Sequence, residues 1–197
     1  MKSDDRRPYR MTSRAEAANA TAERILDAVT ELFWERPTDQ VVLRDVAARA
    51  GVTVQTVLRK YGDKESLLAA AADRAMSRTA AERAVTPGDV DTAIEVLLEH
   101  YEHVGAQVLR LLAEEVRSPT LAEFAERGRA LHREWCSTVF DETLRSLNGV
   151  ARHRRLAQVV AVCDVYTWKL LRLDAGLSRR QTRIALHELL GPLLSHR

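Results

Sequence analysis

The stretch AGVTVQTVLRKYGDKESLL, residues 50–68, contains two breaks in an otherwise helical pattern. One break is at Gly51 and the other at Gly62, so a helix of only two turns lies between them. Another short helical run, LRDVAARA at residues 43–50, precedes the first break. Two helices that cross steeply need a small residue where their backbones approach, here Ala47, and a left-handed residue in the turn, here Gly51. The stretch therefore predicts a helix-turn-helix, whose second helix enters the major groove of DNA.

The second helix of this motif divides into an inward and an outward strip. Val57 and Tyr61, four residues apart, are predicted to face inward, and Thr53 is placed to cap the helix. The outward strip combines an amide, a hydroxyl and two cations: Gln55, Thr56, Arg59 and Lys60. Such side chains suit base edges and phosphates. The alternative is a solvated helix end, because cations favour helix C-termini, but the glycine-centred spacing favours DNA binding.

Bulk composition narrows the class of protein. The chain has 197 residues and a net charge of only +2, so a nucleic-acid surface must be a local patch. Two cysteines, Cys136 and Cys163, exclude a disulfide framework and fit a reducing compartment. The N-terminus lacks the apolar core of a signal peptide, and the most apolar run is too short to span a bilayer. We expect a soluble cytoplasmic protein without a membrane partner.

Capping signals elsewhere predict an all-α protein of about nine helices. Ser13 with Glu16 and Ser178 with Gln181 are possible capping boxes, and Asp63 and Asp89 are possible caps. Pro37 ends the first long helix. Beyond the motif, one helix is predicted after Asp63. Further helices are predicted at residues 89–104, 105–117, 120–147, 152–175 and 178–194, and Thr120 and the Asn148-Gly149 break are among the signals that mark their starts.

At three segments the chain resembles the tetracycline-repressor (TetR) family of transcriptional regulators: ERILDAVTELFWER, VVLRDVAARAGVTVQTVLRKYGDKESLL and, more loosely, LRLDAGLSRRQTRIALHEL. The resemblance implies a three-helix DNA-binding domain, a helical effector-binding domain, and a homodimer on a palindromic double-stranded DNA operator. By motif position it implies DNA contacts from Arg44, Thr56 and Lys60, and a phosphate contact from Lys64. The sequence departs from the family at Pro37, Val42, Val54 and Leu58, so the operator sequence does not follow from the family.

With this resemblance the chain divides into three parts. Residues 1–20 are predicted to be a flexible basic arm, residues 21–68 the helix-turn-helix domain, and residues 69–197 the effector-binding and dimerisation domain. The arm carries Lys2 and four arginines, and it either follows the DNA backbone or is a disordered tail. Its two aspartates dilute the charge and favour the tail.

The larger domain contains most of the chain's few aromatic residues. One interpretation is a pocket for a small, mainly apolar or aromatic effector, with candidate lining residues Tyr101, His103, Val104, Gln107, Trp135 and Phe140. The alternative is that each of these residues belongs to a packed core. The last two long helices carry more apolar surface than one subunit buries, which predicts a dimer interface at Val162, Tyr166, Leu186, Leu189 and Leu193.

Catalysis and metal binding have weak support in the sequence. His132 and Cys136 lie four residues apart, as a thiol–imidazole pair would, but no orienting carboxylate accompanies them. His100 and His103 lack further metal ligands nearby. We therefore expect no enzyme, no cofactor and no metal, and the leading hypothesis is a ligand-responsive dimeric repressor. The alternatives are an enzyme or metal-binding helical protein that carries a helix-turn-helix, and a DNA-binding activator without a ligand.

Overall fold

The structure, a computed structural model, describes residues 6–195, with side chains from Glu16 onward except that of Arg117. Within this range the chain forms helices and no strand, which confirms the all-α class. Short 3-10 turns lie at Thr38–Gln40 and Glu115–Arg117, and a π-helical turn lies at Leu170–Asp174. The α-helices are α1 (Arg6–Glu35), α2 (Leu43–Ala50), α3 (Val54–Tyr61), α4 (Lys64–Glu82), α5 (Val90–Glu114), α6 (Pro119–Val139), α7 (Asp141–Arg145), α8 (Gly149–Val162), α9 (Val165–Lys169) and α10 (Arg179–Leu194). No helix in the described range has an apolar stretch that could cross a membrane.

The chain divides into two compact units, Met1–Ala75 and Met76–Arg197. The sequence placed this boundary between residues 68 and 69. The first unit extends further because Leu67 and Leu68 of α4 are buried and Arg74 forms ion pairs with Glu23 and Asp27 of α1. These contacts bind the first three turns or so of α4 to the first unit.

The start of α1 differs from the prediction of a flexible arm over residues 1–20. The first five residues, including Lys2, lie outside the described part of the chain, but α1 already begins at Arg6. Ser13 and Glu16, predicted to start a helix, therefore lie inside one. Between Pro8 and Pro37 the sequence contains no glycine or proline that would interrupt the helix. Pro8 itself lies in the first turn, where its missing N–H is not needed.

Three predicted boundaries in the second unit are wrong, each for a local reason. The helix predicted to break between residues 104 and 105 is continuous as α5. The helix predicted from Thr120 begins earlier, at Pro119, because Ser118 accepts a hydrogen bond from the Leu121 N–H, and it ends at Val139. The helix predicted over 152–175 is interrupted after Val162, because the Asp164 carboxylate accepts the Tyr166 N–H and caps a new helix.

Other capping predictions are confirmed. The carboxylates of Asp63 and Asp89 accept the N–H groups of Ser66 and Thr92, and Ser178 forms the predicted capping box with Gln181. A backbone hydrogen bond from Ser66 is also the main reason that the pKa of Asp63 lies below its usual range. These helix starts are therefore encoded locally.

Replacing Val42 by Thr is expected to stabilise the protein by about 1 kcal/mol, because α2 lacks a side-chain cap. Val42 occupies the N-cap position with extended backbone and makes no capping bond, and its side chain is 42% exposed, so little packing is lost. Denaturant unfolding of the two proteins measures the difference. An unchanged or lower free energy of unfolding would show that α2 needs no cap.

The core of the second unit is formed by apolar residues of six helices. Residues of α5 to α10 form one buried cluster that includes Leu98, Cys136, Leu144, Val159, Trp168 and Leu190. Around this core lie the cavity and the exposed apolar residues described below.

Candidate nucleic-acid interface and ligand cavity

The turn between α2 and α3 has the geometry that the sequence predicts. Gly51 adopts a left-handed conformation, with φ 65° and ψ 38°. The next N–H, that of Val52, donates to the Ala47 carbonyl at 2.9 Å and so closes the end of α2. Ala47 and Val57 are both buried where the two helices meet. A side chain at Gly51 would meet no neighbouring atom, so the backbone conformation alone requires glycine.

Helix α3 is fixed at both ends. Thr53 accepts the Thr56 N–H at 3.2 Å, as predicted, and the two threonine hydroxyls are 2.9 Å apart. At the other end the Gly62 N–H donates to the Leu58 carbonyl at 2.7 Å. The Tyr61 hydroxyl donates to the Ala22 carbonyl of α1 at 3.4 Å, so this side chain faces inward as expected. The two-turn helix is therefore held in a defined orientation.

The outward strip of α3 is accessible. Gln55, Arg59 and Lys60 are exposed and Thr56 is half-buried. Gln55 and Arg59 lie one turn apart, and neither side chain hydrogen-bonds to another residue in the described part of the chain. An amide and a guanidinium placed in this way have all their donors available to a partner.

The remaining predicted cations fall into two groups. Arg44 at the start of α2 is 85% exposed and lies 3.6 Å from Asp45. The two lysines instead approach backbone carbonyls: Lys60 reaches Ala18 of α1 at 3.4 Å, and Lys64 reaches Thr38 at 2.7 Å. A lysine ammonium has three donors, so Lys64 retains two while it ties α4 to the 3-10 turn after α1.

The six predicted pocket residues do not share one environment. Tyr101 and Phe140 belong to the packed core, where the Tyr101 hydroxyl donates to the Cys163 carbonyl at 3.1 Å. His103 is exposed, and Val104 and Gln107 are half-buried. Of the six, Trp135 lines the cavity described next. The periodicity of α5 and α6 located their buried faces but did not separate core from cavity wall.

The cavity beside Trp135 has a volume of about 390 Å³. Its apolar wall consists of Ala80, Ala84, Val85, Leu131 and Val139. Its polar groups come from Thr79, Arg83, Glu134 and Thr138. A volume of this size and a mainly apolar wall are typical of small-molecule sites.

Arg83 is a buried cation at the edge of this cavity. It is only 4% exposed, and its guanidinium carbon lies 4.2 Å from the centroid of the Trp135 ring. Its Nη2 donates to His132 Nδ1 at 3.1 Å, and its carbonyl accepts the Trp135 indole N–H at 2.7 Å. Because Nδ1 of His132 accepts, the proton is on Nε2, which lies 3.3 Å from the Val160 carbonyl. Arg83, His132 and Trp135 thus form one hydrogen-bonded cluster.

His100 of α5 is half-buried. Burial, and after it the positive charge of Arg83, lowers the pKa of His100 from 6.5 to about 4. Since the folded pKa is below the unfolded one, the unfolded chain takes up the proton first as pH falls. The contribution of neutral His100 to stability is complete above about pH 6.5 and is lost between there and pH 4.

As the pH falls from 6.5 to 4, the free energy of unfolding should decrease by roughly 2 kcal/mol less in the His100→Gln variant than in the wild type, after allowance for the partial exposure of His100. The check is denaturant unfolding of both proteins at several pH values between 4 and 7.5. Carboxylates titrate equally in both, so parallel curves would show that His100 is not the buried neutral group.

The candidate thiol–imidazole pair is present but not activated. Cys136 Sγ lies 3.7 Å from His132 Nε2. A hydrogen bond with Cys163, together with burial, raises the pKa of the Cys136 thiol, so it stays protonated and poorly nucleophilic. Among the described residues no three His, Cys, Asp or Glu side chains are grouped as metal ligands.

The five residues predicted to form a dimer interface differ in exposure. Tyr166 and Leu189 are large exposed side chains, at 53% and 46%, and Val162 and Leu193 are half-buried. Leu186 is a correction: it is 2% exposed and belongs to the subunit's own core. Three further large apolar side chains on these last segments are exposed: Leu170, Leu173 and Ile184.

Comparison with known proteins identifies the helix-turn-helix unit. Residues 25–71, which include α2, α3 and the turn at Gly51, match the family model of bacterial regulatory proteins of the tetR family. Over this segment the chain resembles the tetR family. The matched segment ends within α4 and lies in the first unit.

A curated relative extends the similarity beyond that unit. The HTH-type transcriptional repressor LfrR of Mycolicibacterium smegmatis is 36% identical over 117 residues, which are 57% of this chain and 61% of LfrR. The chain therefore matches less than two thirds of the length of this relative.

Solved structures share the fold over most of the chain. A transcriptional regulator from Rhodococcus sp. Rha1 matches with a TM-score of 0.65 and 21% identity, over 88% of this chain and 95% of that one. The structure of SmeT in complex with triclosan matches with a TM-score of 0.66 and 19% identity, over 88% and 91%. At these identities the similarity establishes the all-α fold of the two units.

Some residues that shape the helix-turn-helix unit carry no local sequence signal. Arg24 of α1 donates from Nε to the Ala50 carbonyl at 3.2 Å, at the end of α2. Arg49 pairs with Glu35, and Arg36 with Asp45, at 2.8–2.9 Å. Each pair joins α1 to α2 across a sequence separation that helix periodicity does not cover. Together these contacts orient α2, against which α3 packs.

Proposed function

We propose that this protein is a TetR-family regulator, a ligand-responsive, dimeric transcriptional repressor that binds a palindromic DNA operator and is released by a small, mainly apolar effector. The observation that carries the proposal is the exposed Gln55–Arg59 strip on a two-turn helix that is fixed at both ends. The match to the tetR family model over 25–71 supports it, as does the relative LfrR, which is a repressor. We expect the protein to act in the cytoplasm, where its DNA is.

In this proposal α3 lies in the major groove. An amide such as that of Gln55 pairs bidentately with adenine, and a guanidinium such as that of Arg59 pairs with guanine or phosphate. Arg44, whose side chain is 85% exposed, contacts a phosphate at the start of α2. Lys60 and Lys64 act mainly on the DNA backbone, since each already has one carbonyl partner within the protein. Thr53 and Thr56 position the helix through their mutual bond.

Two copies bring two recognition helices to one operator. Tyr166, Leu170 and Leu173 follow one another at helical spacing and are each more than half exposed, and Ile184 and Leu189 of α10 are each 46% exposed. A monomer gains nothing from exposing so many large apolar residues on two consecutive segments. Pairing of these segments with a second copy gives an isologous interface and a two-fold axis, which a palindrome matches.

The effector site in this proposal is the cavity beside Trp135. Its wall comes from α6, the end of α4 and the residues that follow α4. SmeT, which shares the fold, has been solved in complex with triclosan. A ligand that binds one conformer of this unit better than another shifts the population toward it, and operator affinity falls if that conformer misplaces α3.

Point variants on the strip test the DNA-binding claim. Gln55→Ala should weaken binding to a duplex selected for tight binding by about tenfold, while binding to a scrambled duplex stays the same. Lys64→Ala should weaken binding to both duplexes alike and lower the salt slope by about one. The control is Arg78→Gln on α4, which removes a cation that is 72% exposed but lies outside the strip. Wild-type isotherms for both Gln55→Ala and Arg59→Ala would contradict the groove assignment.

A further inference from the structure

Arg83 lacks the counter-charge that a buried guanidinium ordinarily has. Within residues 6–195 it forms no ion pair, and its buried Nε–H has no hydrogen-bond partner. The adjacent carboxylate, Glu82, is paired with Arg78 at 2.7 Å. The carboxylate of Glu134 lines the same cavity but is exposed. A charge removed from water is stabilised by opposite charge and full hydrogen bonding, and Arg83 has neither.

The two contacts that Arg83 does make are neutral. One is the Nη2 bond to the neutral His132 ring, and the other is stacking on Trp135. Both leave the positive charge in place, and its effect extends to His100, whose pKa it helps to lower. The cluster is thus a fixed, unneutralised cation on the wall of a cavity.

We propose that the cavity beside Trp135 binds an organic carboxylate with a flat apolar body, whose carboxylate pairs with Arg83 and whose body lies against Trp135. One guanidinium matches one carboxylate in charge and in its two-pronged geometry. The Trp135 indole N–H is already used by the Arg83 carbonyl, so the ring offers apolar surface to the ligand. The alanines, valines and leucine of the wall suit the rest of an apolar body. A phosphate or a sugar would find too few polar partners there.

This inference names the chemical class of the effector. It rests on the proposed function only for the claim that the bound molecule acts as an effector, and not for the claim that the molecule binds. Binding can therefore be measured without DNA. Carboxylate binding without DNA binding would overturn the proposed function alone. DNA binding without carboxylate binding would overturn this inference alone.

Three probes that share one ring system test it: naphthoate, naphthamide and naphthylmethylamine. Isothermal titration of the full chain should give a Kd for naphthoate at least tenfold lower than that for the amide, and weakest binding for the amine. Arg83→Met should abolish the preference for naphthoate over the amide, and Arg83→Lys should retain part of it. The control Arg145→Gln, which removes a 76% exposed cation of α7 and leaves Arg83 intact, should keep it in full.

Several outcomes would overturn the inference. They are equal affinity for naphthoate and naphthamide, tighter binding of the amine through Glu134, no binding of any probe, and an Arg83→Met protein that keeps the preference. If circular dichroism shows that Arg83→Met is unfolded, the wild-type comparison of the three probes and the Arg83→Lys variant decide the question.

Discussion

Replacing Leu189 by Glu is expected to convert the proposed dimer into monomers and to lower operator affinity roughly 100-fold or more. Leu189 is 46% exposed on α10, close in sequence to the exposed Ile184. In an isologous interface a single substitution appears twice, so two carboxylates would be buried near one another. A monomer then offers one recognition helix, and half of the DNA contacts are lost.

The measurements for this variant are sedimentation velocity at micromolar concentration and operator binding isotherms. Val116→Glu is the matched control, because Val116 is 88% exposed in the turn after α5 and a charge there disturbs no predicted interface. It should remain a dimer with wild-type affinity. A monomeric wild type, or a Leu189→Glu protein that sediments as a dimer, would contradict the assignment of α10 to the interface.

Replacing Gly105 by Ala is expected to destabilise the protein by about 3 kcal/mol, although alanine is the better helix former. An added Cβ would lie 2.6 and 2.8 Å from two ring atoms of Trp168. Trp168 is 5% exposed, and its indole nitrogen donates to Glu102, so the ring has little freedom to move away. Alanine would therefore force α5 and α9 apart.

Gly128→Ala in α6 is the matched control for this change. A Cβ there would meet only the flexible end of Met76, at 3.8 Å, so the gain in helix propensity should raise stability by up to about 1 kcal/mol. Thermal or denaturant unfolding of both variants compares them directly. If the two glycine substitutions have the same sign, the close packing of Gly105 on Trp168 is not a stability determinant.

Gly105 also illustrates where sequence reasoning about this fold succeeds and where it fails. Gly51 was interpreted correctly because a glycine four residues after Ala47, between two short apolar runs, has one common explanation. Gly105 is also a glycine, but it lies inside a long helix, where the sequence predicted a break. The reason for that glycine is Trp168, more than sixty residues later, and periodicity along one helix contains no information about it.

The same contrast between local signals and contacts with distant residues applies to the candidate sites. Thr53, Gln55 and Arg59 were located because capping and helical spacing are local properties of α3. Arg83 was missed because ERAV resembles any solvated helix end, and its burial depends on His132 and Trp135 of another helix. Leu186 was placed at the dimer surface although it is buried in the core, because a helix that is apolar on two sides does not indicate which side meets its own subunit.

Selection from a random duplex library most directly tests the central claim that α3 is a DNA recognition helix in a symmetric dimer. The purified full chain is incubated with random-sequence duplexes, and the bound fraction is amplified and sequenced. Duplexes of about 40 base pairs are long enough to hold two half-sites separated by about one helical turn or a small multiple of it. The account predicts an enriched inverted repeat whose half-site centres are separated by such a spacing, and loss of that enrichment in the Gln55→Ala, Arg59→Ala double variant. Enrichment of no sequence, or of a site without two-fold symmetry that the double variant still selects, would contradict it.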